Sequence, residues 1–253
     1  VTDALVGVQH SDGVRTLTLD SPANRNALSS RLLDDLAQAL RDATTDAEVR
    51  ALVLTGAGTV FCSGADLSER GSGAPTRMPE ILTAIVESPV PVVARVNGHA
   101  RAGGIGLIAA ADLAAAPADA TFGFSEVRVG VAPAMILVPA LRVADRRFLS
   151  RAVLTGEPFT AGEAAAAGLL TAVLDDVAAL DDWVGARLES VRKSAPGAVG
   201  ATKALLRSLA GQDWTEGLEA ASAVSATLFA GTEAAEGMDA FLEKRKPAWD
   251  TAP

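Results

Sequence analysis

One cysteine, Cys62, stands in 253 residues. It cannot close a disulfide within the chain, and a lone thiol fits a reducing compartment such as the cytoplasm. No grouping of histidine, cysteine and carboxylates has metal-ligand spacing, so no metal is expected. Long apolar runs are missing too: none approaches the roughly 20 residues of a membrane-spanning helix, and the N-terminal residues lack the basic flank and apolar stretch of a secretory leader. These absences lead to the expectation of a cytoplasmic protein with no membrane partner. Positive charge is in deficit, with 22 Lys and Arg against 31 Asp and Glu and a net charge of −9. Nothing global therefore attracts nucleic acid, and a polyanionic ligand would need a local basic patch. No glycine loop ends in G-K-[ST], which removes a P-loop.

Apolar residues, by contrast, make up 49% of the chain, enough to bury a sizeable core and to argue against disorder. VGVQH and VRTLTLD flank Ser-Asp-Gly and alternate with the two-residue period of a half-buried hairpin. Ser29 suits the N-cap of a helix in which Leu33, Leu36 and Leu40 share one face. ALVLTG from Ala51 and VPVVARVNG from Val90 are short, β-branched apolar runs of the kind expected for strands covered on both faces. Each leads into a glycine-containing loop. After about Thr121 strand signals thin out, and beyond Thr160 the pattern is mostly helical: AGEAAAAG, DDWVGARLESVRK, GAVGATKALLRSL, WTEGLEAASAVSATLFAG and EAAEGMDAFLEKRK. The expectation is a mixed α/β core over residues 1–195 and a helical region over 196–253.

The stretch VNGHARAGGIGLIAAADL places glycines at 103, 104 and 106 after an apolar run, so something must approach the backbone there. Gly104, Gly106 and Ala109 spell the G-x-G-x-x-A of a dinucleotide-binding turn, and Glu126 lies where a ribose-binding acid would. The spacing argues against it, because Asn97 to Gly103 separate the strand-like run from Gly104 and break the tight turn. A purely structural use, tight packing of a helix on a sheet, is open as well. The second loop, ALVLTGAGTVFCSGADL, repeats the strand, glycine loop and helix start. Two such exits can each present one backbone N–H, from near Ala65 and near Gly103, toward a common point, which is what a developing oxyanion requires. A helix starting at the glycines adds its dipole.

VFCSGADL, VNGHARAGGIGL, AAADLAAA, FGFSEVRVGVAP and FLEKRKPAW together resemble the crotonase superfamily, also called the enoyl-CoA hydratase/isomerase family. The resemblance runs from NRNALS at Asn24 to Trp249. It implies an α/β fold, a spiral of ββα repeats with a helical C-terminal oligomerisation region packed in homotrimers or dimers of trimers. It implies acyl-CoA thioester substrates and no cofactor beyond the coenzyme A of the substrate. By the same resemblance the amides of Ala65 and Gly103 hold the thioester oxygen as it becomes an enolate. The backbone around Arg25, Ala27, Ala65, Asp66 and Leu67 lines the adenine and pantetheine channel, and Phe241 and Lys244 reach the nucleotide, often from a neighbouring subunit. An ordinary amphipathic helix end would account for Lys244 equally well.

Proton transfer beside a thioester calls for a carboxylate whose pKa is raised by a dry pocket. Glu126 matches one of the two catalytic glutamates of the family's hydratases; as a surface acid it would instead pair with Arg128. The second glutamate is absent, because Gly106 stands where hydratases read G-G-x-E-L. Moving a double bond from C3 to C2 needs one carboxylate only. SEVRVGVAPAMI nevertheless resembles hydratases, so 2-enoyl-CoA hydratase is placed first, Δ3,Δ2-enoyl-CoA isomerase second, and an acyl-CoA-binding protein with little catalysis third. His99 and Arg101 could set acyl selectivity or contact coenzyme A, and Arg101 could equally pair with a structural acid. Asp112 is left out of the catalytic set because the family uses that position structurally, and Cys62 is read as a small buried thiol.

Overall fold

The computed structural model describes residues 4–69 and 77–250. It opens on a hairpin, β1 (Val6–Ser11) paired antiparallel with β2 (Val14–Leu19). Asp12 and Gly13 turn it at φ 52° and 73°, the positive angles that suit the right-handed strand twist. α1 (Ser30–Thr45) is capped by the Ser29 hydroxyl, which accepts from the Leu32 amide, and it buries Leu33, Leu36 and Leu40 on one face.

A three-part unit then recurs: a strand of one sheet, a short strand of a second sheet, and a helix. The first unit is β3 (Ala51–Gly56), β4 (Val60–Cys62) and α2 (Met78–Glu87). The second is β5 (Val92–Arg95), β6 (His99–Arg101) and α3 (Gly103–Ala110). The third is β7 (Leu113–Pro117), β8 (Thr121–Gly123) and α4 (Ala134–Val143). The chain continues through α5 (Arg146–Thr155), β9 (Phe159–Thr160), α6 (Ala161–Ala166) and β10 (Ala172–Leu174). Strand order is β1-β2-β3-β5-β7-β10 in the larger sheet and β4-β6-β8-β9 in the smaller. Each unit thus lays one parallel strand beside its predecessor in both sheets, and the chain advances as the expected spiral.

Both faces of the larger sheet are covered. Every residue of β3 is buried. Leu52 and Leu54 join the main core with Leu33 and Leu36, whereas Val53, Val93 and Ala115 turn the other way, onto Leu180 and Val184 of α7 (Val177–Arg192). That double cover is why these strands read as continuous apolar runs rather than alternating ones. α8 (Pro196–Ser208), α9 (Trp214–Phe229) and α10 (Thr232–Glu243) complete the helical C-terminal part. Among the described residues no helix is long and apolar enough to cross a membrane.

Two features depart from the sequence pattern. β10 is three residues long and becomes a strand by pairing with β7, Ala172 opposite Ala115, so its signal lies in its partner. α4 and α5 fill the stretch after Thr121 that carries no strand signal; α4 even holds Pro139 inside it.

Asp112, the acid within an apolar run, is structural. It accepts from the Val92 amide at 2.7 Å and pairs with Lys203 of α8 at 2.7 Å. Lys203 also donates to the Ile85 and Val90 carbonyls at 3.0 and 3.1 Å. Burial pushes this ammonium below its ordinary pKa and Asp112 draws it back up. Asp112→Ala would leave a buried cation without its counter-ion and is expected to cost about 3 kcal/mol. Glu80, whose pairs with Arg41 and Arg77 lie in contact with solvent, should cost far less on replacement by alanine. Urea melts of the two variants measure the difference.

Candidate active site

Parallel strands β4, β6 and β8 leave the smaller sheet at the same end. Ala65 lies three residues past the end of β4, Gly103 two past the end of β6 and Glu126 three past the end of β8. Their common placement follows from the sheet, because parallel neighbours share a C-terminal edge.

The first two exits touch. A Cβ on Gly64 would stand 2.8 Å from the Ala102 Cβ and 3.3 Å from the Arg101 carbonyl oxygen, so the residue before Ala65 needs to be glycine for the loops to approach. Gly64 also sits at φ +91°. Ala102 is stranger: φ 47° and ψ −118° is backbone that L residues rarely adopt. It is held there by its own N–H, which donates to the Gly123 carbonyl at 3.0 Å. The reversal ends β6 and makes Gly103 the first residue of α3, where a helix leaves its amide unpaired and its dipole positive.

Ala65 is aimed by a different device. The Leu28 amide donates to the Gly64 carbonyl at 2.7 Å and the Asp66 amide to the Leu28 carbonyl at 3.3 Å, so Ala65 forms a single parallel bridge with Leu28 and its own N–H faces away. Among the described residues neither the Ala65 nor the Gly103 amide meets an acceptor. The Leu28 side chain also packs on Gly103, 2.6 Å from where a Cβ would be, so one residue braces both loops.

Behind Leu28 lies a residue that the sequence analysis missed. Asn26 is completely buried. Its Nδ2 donates to the carbonyls of Ala57 (3.0 Å), Val60 (2.8 Å) and Phe61 (3.3 Å), and its Oδ1 accepts from the Ser21 amide at 2.9 Å. Arg25 and Asn26 both take left-handed φ, 59° and 55°, and the Ser63 amide donates to the Arg25 carbonyl at 3.1 Å. The one available signal was an asparagine two positions after another, Asn24, since asparagine tolerates this region.

Glu126 opens a short turn after Phe122 and Phe124, which are fully buried and stacked on Phe159. It is half-buried, and its Oε2 is shielded from solvent without a hydrogen-bond partner. Burial pushes its carboxyl above the ordinary range, against a smaller pull from its own amide. No ion pair with Arg128 occurs among the described residues; the Arg128 side chain lies over Gly156 instead.

Gly106 offers no room for the absent carboxylate. A Cβ there would meet Ile136 of α4 at 2.5 Å (Cγ2) and 2.8 Å (Cβ), so Ile136 occupies the space. Cys62 is buried and its thiol is pushed up to about 12 by desolvation, far from a reactive thiolate. His99 and Arg101 both clasp Thr121: His99 Nδ1 accepts from its amide at 3.0 Å, and Arg101 donates to its carbonyl (2.5 Å) and hydroxyl (2.9 Å). Arg101 pairs with no acid among the described residues, so that option for it falls away.

The residues that the resemblance assigns to a coenzyme A channel divide into two groups. Arg25 and Leu67 are exposed beside the buried Ala27, and Ala65 itself is open to solvent. The Asp66 carboxylate accepts from the Ser68 amide and hydroxyl at 2.9 and 2.7 Å, which hold it below the ordinary range. Phe241 and Lys244 belong to α10 and its end, and α10 packs on α9. Phe241 lines an open apolar groove of about 550 Å³ between α8, α9 and α10. No hydrogen bond or ion pair among the described residues joins this pair to the 25–67 loops.

A two-sheet spiral that leaves two loop amides free at one strand edge is a crotonase-type fold. Solved structures agree: a crystal structure of an enoyl-CoA hydratase from Mycobacterium smegmatis superposes with a TM-score of 0.93 at 34% identity, over 98% of this chain and 100% of that one. A putative enoyl-CoA hydratase of Thermus thermophilus is 36% identical over 92% of this chain and 96% of its own length. The 2,3-dehydroadipyl-CoA hydratase of Escherichia coli is 33% identical over 95% and 96%. Residues 9–252 match the family model for enoyl-CoA hydratase/isomerase, and the chain belongs to that family of enzymes.

Two stability measurements test this geometry. Gly106→Ala is expected to cost about 1–3 kcal/mol through overpacking against Ile136, and Gly106→Glu more; thermal melting of both gives the order. Because burial raises the folded-state pKa of Glu126, the folded chain binds that proton more tightly than the unfolded chain. Wild-type stability is therefore lost as pH rises through the raised pKa. Glu126→Gln cannot ionise, so its stability relative to wild type should grow as pH rises from the ordinary carboxylate range through the raised pKa of Glu126, and a difference independent of pH would contradict the dry environment of the carboxyl.

Proposed function

We propose that the protein hydrates a 2-enoyl-CoA thioester through an oxyanion-stabilised enolate, with Glu126 as the proton-transfer group. The observation that supports this best is the half-buried Glu126 carboxylate, with its Oε2 shielded and without a partner, at the strand edge that also presents the Ala65 and Gly103 amides. In this reading Glu126 takes a proton from water as the hydroxyl adds to C3. The electron pair of the double bond moves toward the thioester, whose oxygen becomes negative between the two amides. Glu126 then returns the proton to C2, so one carboxyl closes the cycle. Donors fixed in advance stabilise that oxygen without reorganising. Relatives named as hydratases favour this reading.

The isomerase reading is second, and Gly106 carries it. With Ile136 in the space of a second carboxylate, moving a proton between C4 and C2 of a 3-enoyl thioester asks for nothing that Glu126 lacks. An acyl-CoA-binding protein with little turnover is the third reading.

Arg25, Ala27, Ala65, Asp66 and Leu67 are proposed to line the coenzyme A channel. Phe241 and Lys244 are proposed to reach the nucleotide of a neighbouring copy in a homotrimer or dimer of trimers. α9 buries no residue, and Trp214, Phe229, Phe241 and Leu242 are each at least 72% exposed, an apolar surface that other copies would cover. The proposed chemistry needs no cofactor apart from the substrate's coenzyme A, and the lone Cys62 thiol fits action in the cytoplasm.

Incubation with 2-enoyl- and 3-enoyl-CoA thioesters of several lengths, with product identification, separates the three readings. Glu126→Gln should lower kcat at least about 100-fold while thioester affinity stays within a few-fold. Wild-type turnover in that variant would reject Glu126.

A further inference from the structure

Arg101 ends β6, two residues before Gly103, and is half-buried with no acid partner among the described residues. Burial pulls its pKa down, the mark of a guanidinium taken partly out of water. An apolar side chain of similar length would fill the same space without that cost, so what the charge contributes is its donors. Nη1 donates to the Ala100 and Thr121 carbonyls at 2.9 and 2.5 Å, and Nη2 to the Thr121 hydroxyl at 2.9 Å. His99 Nδ1 accepts from the Thr121 amide, so side chains of β6 hold every polar group of Thr121, the first residue of β8. The stem of Arg101 lies along Gly123, with Cδ 3.5 Å and Nε 3.7 Å from where a Cβ would be.

At Gly123 this grip reaches the candidate site. The Gly123 carbonyl accepts the Ala102 N–H at 3.0 Å, and the Ala102 carbonyl accepts from the Ile105 amide at 2.8 Å. Ala102 is thus tied to β8 on one side and to α3 on the other, at φ 47° and ψ −118°. The planar peptide unit after Ala102 carries the Gly103 N–H, so the ψ angle of Ala102 sets the direction of that amide. An alanine released from this conformation would settle into an ordinary region of backbone space, and the amide would turn with it. Release requires β6 to shift against β8 or against α3. The Arg101 fork blocks the first of these movements.

We propose that Arg101 is a positioning residue: by locking β6 to β8 at Thr121 it holds Ala102 in its strained conformation and so aims the Gly103 amide at the thioester oxygen. The proposal rests on the acyl-CoA reading above and requires no contact between Arg101 and the ligand.

Glycine at position 102 tests it, because glycine takes positive φ without strain and needs no grip to stay there. Wild type, Arg101→Met, Ala102→Gly and the double variant would be assayed with trans-2-hexenoyl-CoA and trans-3-hexenoyl-CoA. Difference infrared spectroscopy would read the carbonyl stretch of bound hexanoyl-CoA carrying a heavy carbon in the carbonyl, which hydrogen-bond donors shift to lower frequency. Arg101→Met should lower kcat about tenfold or more, as when the competent conformation falls to about a tenth of the population. Hexanoyl-CoA affinity should stay within about threefold of wild type, while the shift of the carbonyl stretch shrinks. In the Ala102→Gly background the same replacement of Arg101 should cost less than about threefold and leave the stretch in place. An equal loss in both backgrounds would overturn the proposal, as would an Arg101→Met protein with unchanged kcat and stretch or an Ala102→Gly protein that no longer shifts the stretch. Weakened hexanoyl-CoA affinity with kcat intact would also overturn it and make Arg101 a ligand contact. Should Arg101→Met fail to fold, Arg101→Lys carries the same comparison, since lysine keeps the charge and loses the planar fork. These outcomes leave the acyl-CoA reading standing, whereas failure of wild type to bind any of the thioesters would overturn both.

Discussion

The candidate site depends on one close approach, that of the β4 exit to the β6 exit. Two loops that each end in a free amide can share an oxygen only if their backbones nearly touch. Here contact is made by Gly64, which has no side chain, and by Ala102, which takes a backbone conformation costly for alanine. Strain of this kind persists only where the surroundings over-determine it. They do so through the Ala102 amide on Gly123, the Leu28 bridge at Ala65, and the Asn26 side chain that fixes the segment carrying Leu28. The buried sheets and helices serve as the frame that holds those few bonds in place.

The same economy of space shapes the chemistry. α3 and α4 pack closely because Gly106 admits Ile136, and the packing removes the place where a second carboxylate would stand. Glu126 is then the acid left at this edge, and it is fixed by a cluster of buried phenylalanines rather than by a counter-ion. A carboxylate held dry by hydrocarbon is a stronger base than one in water, which suits proton transfer near neutral pH. A nearby cation would have lowered its basicity.

A chain with a net charge of −9 still has to accommodate a polyanionic thioester in this reading, and it has few cations to do so. Arg25 stands exposed at the 25–67 loops, while Lys244 lies at the end of α10 with no bond to them. The unburied helix α9 and the exposed Phe229 and Phe241 lie in the same region as Lys244. Association of copies would cover that apolar surface and could bring the separated cations to one ligand.

The hairpin, α1, the doubly covered strands and the C-terminal helices were legible in the sequence, because each is set by local periodicity and by caps within a few residues. So were the two glycine loops and Glu126, although their roles came from resemblance to the enoyl-CoA hydratase/isomerase family rather than from spacing. What could not be read was everything that depends on a distant partner. β10 is a strand only because β7 offers it hydrogen bonds. Asn26 acts through carbonyls more than 30 positions away, Gly106 matters because Ile136 arrives from another helix, and the free amide of Ala65 exists because Leu28 takes up its neighbours. Sequence by itself determined which residues could form strands, helices and tight turns, since those preferences are local. Only the tertiary structure decided which amides stay unpaired and which carboxylate stays dry, because pairing and desolvation are set by groups that the chain brings together when it folds.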